Sequence, residues 1–429
     1  MFLISIVIFR TVDKSHYGLY VVIVSLFAVI DLLLAGLNDS IVRFLNDKIS
    51  LNEKQNIVLL ILCYRYFLIF MFVAATYIAR QSGFFEFLID NYSEVSDILD
   101  SFLIVAILNG VIGTIIGINT SVLNSQKYYK LNANLGLIRN VIYLLIVLLL
   151  SFYSEDYLDY LHSSILLSLI LLLYLSIKIH KECYEFSLGS LIRTKLNLSV
   201  VKQYIFPYSV PLTLSSLLTY VKNHLPILIL GKEFALGEVA IFSILKTLFK
   251  SMHSISGSFI DPMMAKFLEL KNNTKTFTKK INAIFYGTFA LRFFSFLVFI
   301  FLMKYFFLIY KIENNKISQF IFYVLGIEYV IAGMILSYGV ILKLEKSTIK
   351  ILIASFVRFV IEVLLIYFLL IEYGIMAAAV ILLVARYAET VTTYLLIIRQ
   401  GILKRTGFLL VIWVLPVLYF MSKLLFATS

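Results

Sequence analysis

Tyr17-Gly-Leu-Tyr-Val-Val-Ile-Val-Ser-Leu-Phe-Ala-Val-Ile-Asp31-Leu-Leu-Leu-Ala-Gly-Leu37 carries one charged side chain, Asp31, in 21 residues. As a helix rising about 1.5 Å per residue it reaches about 32 Å, the thickness of a bilayer's hydrocarbon core. Its apolar residues do not alternate with polar ones, as a strand of a lipid-embedded barrel requires. A helix also satisfies each backbone polar group within its own segment, which hydrocarbon demands. The stretch reads as a membrane-spanning helix with one carboxylate inside it.

Outward from this stretch the same pattern recurs. Apolar spans are expected at about Ile57–Ile78, Phe102–Ile118, Ile138–Phe152 and Ile165–Ile179. A polar segment runs from Lys178 to about Gln203. Further spans follow at about Tyr208–Leu230, Val239–Ile260, Ile284–Phe307, Phe320–Leu342, Lys350–Ile371, Ile375–Ile398 and Phe408–Phe426. Met1–Phe9 is apolar but reaches only half-way across a bilayer, and reads as the back half of a truncated first helix. It has neither the basic start nor the small-residue cleavage site of a signal peptide. The count is six helices, six more, and one extra at the C-terminus: an all-α polytopic membrane protein. The whole composition agrees, with 429 residues, 61% hydrophobic and only 14% charged, at a mean hydropathy of +0.96. A water-soluble chain needs far more charge to cover its surface.

Net charge is +12. In this setting that reflects basic loops on one membrane face, and no basic soluble module exists to hold nucleic acid. Alternate loops carry Arg43, Lys48 and Lys54; Lys127 and Lys130; Lys181, Arg193, Lys195 and Lys202. The same set continues with Lys266, Lys271, Lys275, Lys279 and Lys280; Lys343 and Lys346; and Arg399, Lys404 and Arg405. The opposite loops are poor in Lys and Arg, so the basic set is read as cytoplasmic. Cys63 and Cys183 lie far apart and form no metal or disulfide pattern, and the five histidines lack ligand spacing. No catalytic constellation and no phosphate-binding glycine loop occur, so no enzyme activity, metal or cofactor is expected.

The informative residues are charges placed where lipid should be. The basic ones are Arg65, Lys222, Lys246, Lys250, Arg292, Arg358 and Arg386, with His224 near Lys222. The acidic ones are Asp31, Glu328, Glu362 and Glu389. Each would cost about 2.5–3.5 kcal/mol at the bilayer centre, so they face a wet cavity or pair with one another. Arg358 and Glu362 are four apart and Arg386 and Glu389 three apart, so each pair shares a helix face and ion pairing accounts for it. Lys246 and Lys250 are like charges on one face and call for an anion or a carboxylate between them. Arg65, Lys222 and Arg292 have no partner on their own helix, and either reach for an interface or face a cavity. Taken together, the basic set reads as a cationic substrate-binding cavity, and the acidic set as serving ion coupling or ion pairing. Basic residues predominate, which suits an anionic passenger. Pro207, Pro211 and Pro226 bracket the seventh span, as a fixed bend or as a hinge. Asp261-Pro262 reads as a helix end.

The halves also resemble each other. Gly18-Leu-Tyr20 opens a span ending in Val42-Arg43-Phe44-Leu45, and Gly237 with Ile241-Phe242 opens one ending in Ala265-Lys266-Phe267-Leu268. Both run from outside to inside, which makes this a parallel repeat about an axis along the membrane normal. The boundaries expected are 1–179 for an N-terminal lobe, 180–205 for a cytoplasmic linker, 206–398 for a C-terminal lobe and 399–429 for the extra helix.

Phe9-Arg-Thr-Val-Asp-Lys-Ser-His-Tyr-Gly-Leu-Tyr20, continuing through Asp31 to Arg43-Phe-Leu45, resembles the N-terminal signature of the Wzx-type polysaccharide flippases. These belong to the multidrug/oligosaccharidyl-lipid/polysaccharide (MOP) exporter superfamily. Tyr17, Gly18, Tyr20, Asp31 and Arg43 fill the places of its Tyr-Gly-x-Tyr motif, late acid and terminal arginine. Leu33 stands where the family usually has a glycine. The resemblance implies two six-helix lobes around a central cavity, as in MATE transporters, in a bacterial inner membrane. It implies alternating access that moves an undecaprenyl-pyrophosphate-linked O-antigen or capsule repeat unit to the periplasmic leaflet. The implied partners are the lipid-linked oligosaccharide, membrane lipid, a polysaccharide polymerase and a chain-length regulator.

A MATE-like multidrug antiporter shares the fold but would favour an acidic cavity for cationic drugs. A lipid II flippase would typically carry two further helices where one extra is read here. A membrane polysaccharide polymerase or glycosyltransferase would need a large external loop, and the external loops here are short.

Overall fold

The computed structural model describes residues 2–45, 50–89, 92–186, 188–192, 194, 197, 199, 206–270, 274–344 and 348–398. Within helices, side chains at 29–36, 222–223, 254–270, 274–282 and 334–341 are among those outside the description. The expected span Phe408–Phe426 lies outside the described residues. The chain divides into two compact units, Met1–Ser243 and Ile244–Ser429.

The first unit begins with α1 (Phe2–Thr11), α2 (Lys14–Phe44) and α3 (Leu51–Gln81), followed by short α4 (Phe84–Leu88). Then come α5 (Tyr92–Ser125), α6 (Tyr129–Leu150), α7 (Tyr157–Glu182), a 3-10 turn at Tyr184–Phe186 and short α8 (Leu188–Ile192). The helix α9 (Phe206–Glu233) packs along α2, and α10 (Leu236–Leu270) starts in this unit and continues into the second. Side chains close the exposed helix starts. Ser50 accepts from the Glu53 N–H while the Glu53 carboxylate accepts from the Ser50 N–H, a reciprocal cap on α3. Asp156 accepts from Leu158 to cap α7, and Asp13 accepts from Ser15 and His16 at the start of α2.

The Tyr17-Gly-Leu-Tyr20 signature has a packing role. Tyr17 meets Phe9 and Tyr157 at ring distances of 5.3 and 5.7 Å, and Tyr20 meets Tyr157 and Phe102 at 4.9 and 6.1 Å. Four helices are thereby stitched by aromatic contacts, three of them edge-on and the Tyr17–Tyr157 pair tilted. Between the two tyrosines, a Cβ at Gly18 would collide with the Leu236 carbonyl oxygen, so α2 and the start of α10 meet backbone to backbone. The other end of the unit has an apolar core in which Ile41, Phe44, Ile57, Ile118, Val122 and Ile179 are buried together with Phe186 and Leu191 of the connecting segment. Gln55 donates to the Glu185 carbonyl and the Asn197 N–H donates to Asn56, so that segment is fastened to α3.

In the second unit α11 (Thr274–Ile309) packs on α12 (Lys316–Leu344), and α12 packs on α14 (Ile371–Ile398). Between them α13 (Thr348–Leu365) runs through a π-helical turn, Ile366–Leu370, directly into α14. Residues 348–398 are nonetheless two spans. A straight helix would separate Arg358 from Glu389 by roughly 46 Å, yet their side chains meet at 2.7 Å. The reversal falls at Gly374, with φ 53° and ψ −133°, a conformation that essentially only glycine adopts.

Seven segments among the described residues are long and apolar enough to cross a membrane. They are Leu51–Gln81, Ile98–Ser125, Lys130–Leu150, Tyr157–Glu182, Tyr286–Ile309, Lys316–Gly333 and Ile349–Ile397, the last containing the reversal. The expected spans Tyr17–Leu37, Tyr208–Leu230 and Val239–Ile260 also lie within single helices, α2, α9 and α10. The chain is an all-α, multi-pass membrane protein.

Candidate functional site

Three helices of the second unit bring five ionisable side chains together at membrane depth. Glu328 comes from α12, Arg358 and Glu362 from α13, and Arg386 and Glu389 from α14. Arg358 is fully buried; its Nη1 donates to Glu389 Oε2 at 2.7 Å, and its Nε lies 3.6 Å from Glu362. Arg386 sends Nε to Glu328 at 2.6 Å and Nη1 to Glu389 at 2.9 Å. Glu389 thus joins the two arginines, and the cluster ties α12, α13 and α14 to one another. The pairs expected from spacing on one helix, Arg358 with Glu362 and Arg386 with Glu389, both occur. The stronger links run between helices.

Next to this cluster lies Arg292 of α11, also fully buried. Its Nη1 donates to the Tyr329 carbonyl at 3.0 Å, and its guanidinium sits 4.9 Å from the centre of the Tyr329 ring. The side chain crosses Gly333, where a Cβ would stand 2.6 Å from Arg292 Cδ. A residue with no side chain at 333 therefore opens the path by which Arg292 reaches Tyr329. Phe249 of α10 rests on Phe299 of α11 and on Phe322 and Tyr329 of α12, which holds α10 against this wall.

Lys246 is half-buried on α10 within electrostatic range of Lys250, Glu362, Glu328 and Arg358. Lys250, one turn on, is exposed. His253 lies within range of Arg292, Arg386, Glu328 and Lys250. Five cations, Lys246, Lys250, Arg292, Arg358 and Arg386, accompany three carboxylates, so the formal balance of this cluster is positive. Carboxylates of other helices, Glu328 and Glu362, lie within range of Lys246.

The remaining expected residues belong to the first unit. Arg65 of α3 is buried and donates to the Thr114 carbonyl of α5. His224 of α9 stacks on Tyr220 at 4.9 Å. Lys222 and Asp31 lie on α9 and α2, with their side chains outside the described residues, as is that of Arg43. Asp261-Pro262 falls inside α10, whose helix continues to Leu270, so the expected helix end is not found there. Pro211 and Pro226 likewise lie inside α9.

Sequence reading passed over Arg139, Tyr329, Gly333 and His253. Arg139 donates to Ser168 at 2.7 Å across the α6–α7 pair. Its signal was its place on the stripe of Asn132, Tyr143 and Val147, the inward face of an otherwise lipid-facing helix. Among the described residues, no group of three or more His, Cys, Asp or Glu side chains is placed to hold a metal ion.

No family model matches the chain, and no curated protein matches it in sequence. Solved structures do match. The lipid II flippase MurJ in an inward closed conformation aligns with a TM-score of 0.70 at 13% identity, covering 99% of this chain and 97% of that one. A multidrug resistance MATE family transporter of the MOP superfamily, in an inward-facing conformation, aligns with a TM-score of 0.69 at 13% identity, covering 94% and 93%. A mutant of the MATE transporter VcmN from Vibrio cholerae aligns with a TM-score of 0.62 at 15% identity, covering 93% and 98%. The chain has the fold shared by these flippases and multidrug transporters of the MOP superfamily.

Proposed function

We propose that this chain is a flippase for a lipid-linked oligosaccharide in the bacterial inner membrane. Its cargo would be an undecaprenyl-pyrophosphate-linked repeat unit of O-antigen or capsule, moved to the periplasmic leaflet by alternating access. The observation that carries this reading is the positive balance of the membrane-embedded charges in the second unit. Lys246, Lys250 and Arg292 stand beside a network in which Arg358 and Arg386 already meet the three glutamates. An anionic head group is the passenger that lowers the energy of such a cluster. The shared fold of a lipid II flippase supports a lipid-linked cargo.

The fold of two multidrug transporters and the membrane-embedded carboxylates Glu328, Glu362 and Glu389 favour a second reading, a cation-coupled drug antiporter. The deciding experiment deletes the gene in its source bacterium. Accumulation of cytoplasm-facing lipid-linked repeat units with loss of surface polysaccharide, reversed by the intact gene, supports the flippase. Normal surface polysaccharide with new drug sensitivity supports the antiporter, and accumulation of lipid II would change the cargo. Lys246→Ala, Lys250→Ala and Arg292→Ala are each expected to impair export at normal expression. Full export by all three would remove the cationic mechanism.

A further inference from the structure

We propose that the first unit holds one acyl chain of an anionic phospholipid of the cytoplasmic leaflet in a groove between α3, α5 and α7. At their basic-loop ends these three helices, with the 3-10 turn and α8, line a cavity of about 230 Å³. Its walls are mainly apolar, with Val58 and Leu62 from α3, Ile118 and Val122 from α5, and Ile179 from α7. Three of its helices are membrane spans. The flanking residues on α3, Tyr66, Phe67 and Phe70, are exposed, as are Leu173, Tyr174 and Ile177 on α7. The groove therefore opens between lipid-facing surfaces, and hydrocarbon is the solvent at its mouth. The one polar pair in the wall, Asn119 and Ser176, is joined internally, Asn119 Nδ2 donating to Ser176 Oγ at 3.2 Å. What remains for an occupant is a mainly apolar space, smaller than the pockets that enclose drug-sized ligands and suited to a single chain.

The end of the groove supplies the head-group chemistry. His180 lines it and meets Tyr184 edge-on at 5.4 Å, and Lys181 beside it is exposed. The turn between α5 and α6 abuts the same end, because Tyr128 donates to Glu182 at 3.0 Å, and that turn presents Lys127 to solvent. At the same end Lys178 pairs with Glu182, and Glu185 is exposed. Lys127 and Lys181 thus leave a small positive excess beside the apolar slot, which matches a phosphate next to its own hydrocarbon tail. The occupant would fasten the connecting segment, since Phe186 and Leu191 form part of the same lining.

Gly189 gives the test its handle. It lines the groove, is itself exposed, and a Cβ placed there meets no atom within 4 Å, so a large side chain is accommodated at the groove's edge without moving backbone. The full chain is placed in nanodiscs containing phosphatidylglycerol with a photoactivatable diazirine on one acyl chain, and adducts are mapped by mass spectrometry. Adducts are expected on α3 and α5 around Leu62 and Ile118, well above those on the lipid-facing residues Leu145 and Leu149 of α6. Gly189→Phe, and separately Leu62→Trp, should lower the groove adducts several-fold while leaving the α6 adducts unchanged, which also reports that the variant is folded. His180→Ala with Lys181→Ala should remove the preference for phosphatidylglycerol over a diazirine phosphatidylcholine. Groove adducts no more abundant than those on α6, or unaffected by both filling variants, would overturn the proposal. So would equal labelling of the intact chain by the neutral lipid, or displacement by undecaprenyl phosphate, which would make the groove a cargo site. The readout is labelling alone, so it stands or falls independently of the transport reading.

Discussion

Replacing Arg358 by methionine removes a guanidinium that solvent does not reach while keeping most of its volume. With charge centres about 4 Å apart and an effective dielectric near 20, each ion pair is worth about 4 kcal/mol. Moving each ion out of water costs several kcal/mol, so the intact network contributes little net stability. Removing one member is a different matter. Glu389 loses its 2.7 Å partner and keeps Arg386 at 2.9 Å, while Glu362, 1% exposed, loses the guanidinium 3.6 Å away. The desolvation cost of the carboxylates then stands against fewer cations, and such one-sided deletions cost about 3–5 kcal/mol. Arg358→Met is expected to lower the unfolding free energy, measured by steric trapping in bicelles, by that amount. Adding Glu362→Gln to the same chain removes the charge that Arg358 had balanced and should restore more than half of the loss. A cost under about 1 kcal/mol for Arg358→Met would refute this account, because a buried, one-sided charge deletion cannot be that cheap. So would a double variant no more stable than the single one.

Gly374→Ala forces a Cβ onto a backbone at φ 53° and ψ −133° and should cost about 1–3 kcal/mol in the same unfolding measurement. Gly333→Ala sets a Cβ 2.6 Å from Arg292 Cδ; it should impair export as Arg292→Ala does, with the Arg292 side chain intact, and destabilise by about 1–3 kcal/mol. Asp13, in the turn before α2, has its carboxyl held below the ordinary range first by the Ser15 hydroxyl and then by the N–H groups of Ser15 and His16, against a smaller opposing effect of burial. A lowered folded-state pKa means stabilisation present above the unfolded value and lost as pH falls through the folded one. Asp13→Ala should therefore cost about 0.5–1 kcal/mol near pH 7, discounted for the exposure of the site, and progressively less as pH falls below about 4. Equal cost at both ends of that titration would show that the cap is not acting through its charge.

Hydropathy made the helices legible because lipid penalises each polar residue, so a spanning segment must declare itself in sequence. The expected spans from Tyr17–Leu37 to Ile375–Ile398 fall inside helical structure, save that Ile138–Phe152 overruns the end of α6 at Leu150 by two residues. Helix ends were less legible. Asp261-Pro262 reads as a stop, yet α10 runs through it to Leu270, as Pro211 and Pro226 sit within α9. Proline in a membrane helix is tolerated where neighbouring groups satisfy the freed carbonyl, and no local pattern announces that neighbour. The small helices α4 and α8 went unseen for a related reason, since five residues carry no periodic signal. The packing of α9 along α2 was equally hidden, because helices apolar all round do not mark the face they bury.

The charged cluster divides between what spacing reveals and what topology adds. Arg358 with Glu362 and Arg386 with Glu389 were visible as neighbours on one helix. The Arg358–Glu389 and Arg386–Glu328 bonds were not, since they need the order in which helices pack. One of them was within reach. Gly374 is the reversal, Arg358 lies 16 residues before it and Glu389 lies 15 after it, so antiparallel helices place the two at one depth. That geometry also separates two kinds of arginine. Arg358 and Arg386 hold α12, α13 and α14 together through three glutamates, and their loss should first be felt as loss of fold. Arg292 reaches a backbone carbonyl and an aromatic face, and Lys250 is exposed on α10. If anionic cargo is gripped in the second unit, the two classes must part: Arg292 and Lys250 variants losing export with a smaller loss of stability, and Arg358 variants losing stability before export can be read. A chain in which Arg358→Met stays folded and transports normally, while Arg292→Ala unfolds, would invert that assignment and with it the reading of which cations face the passenger.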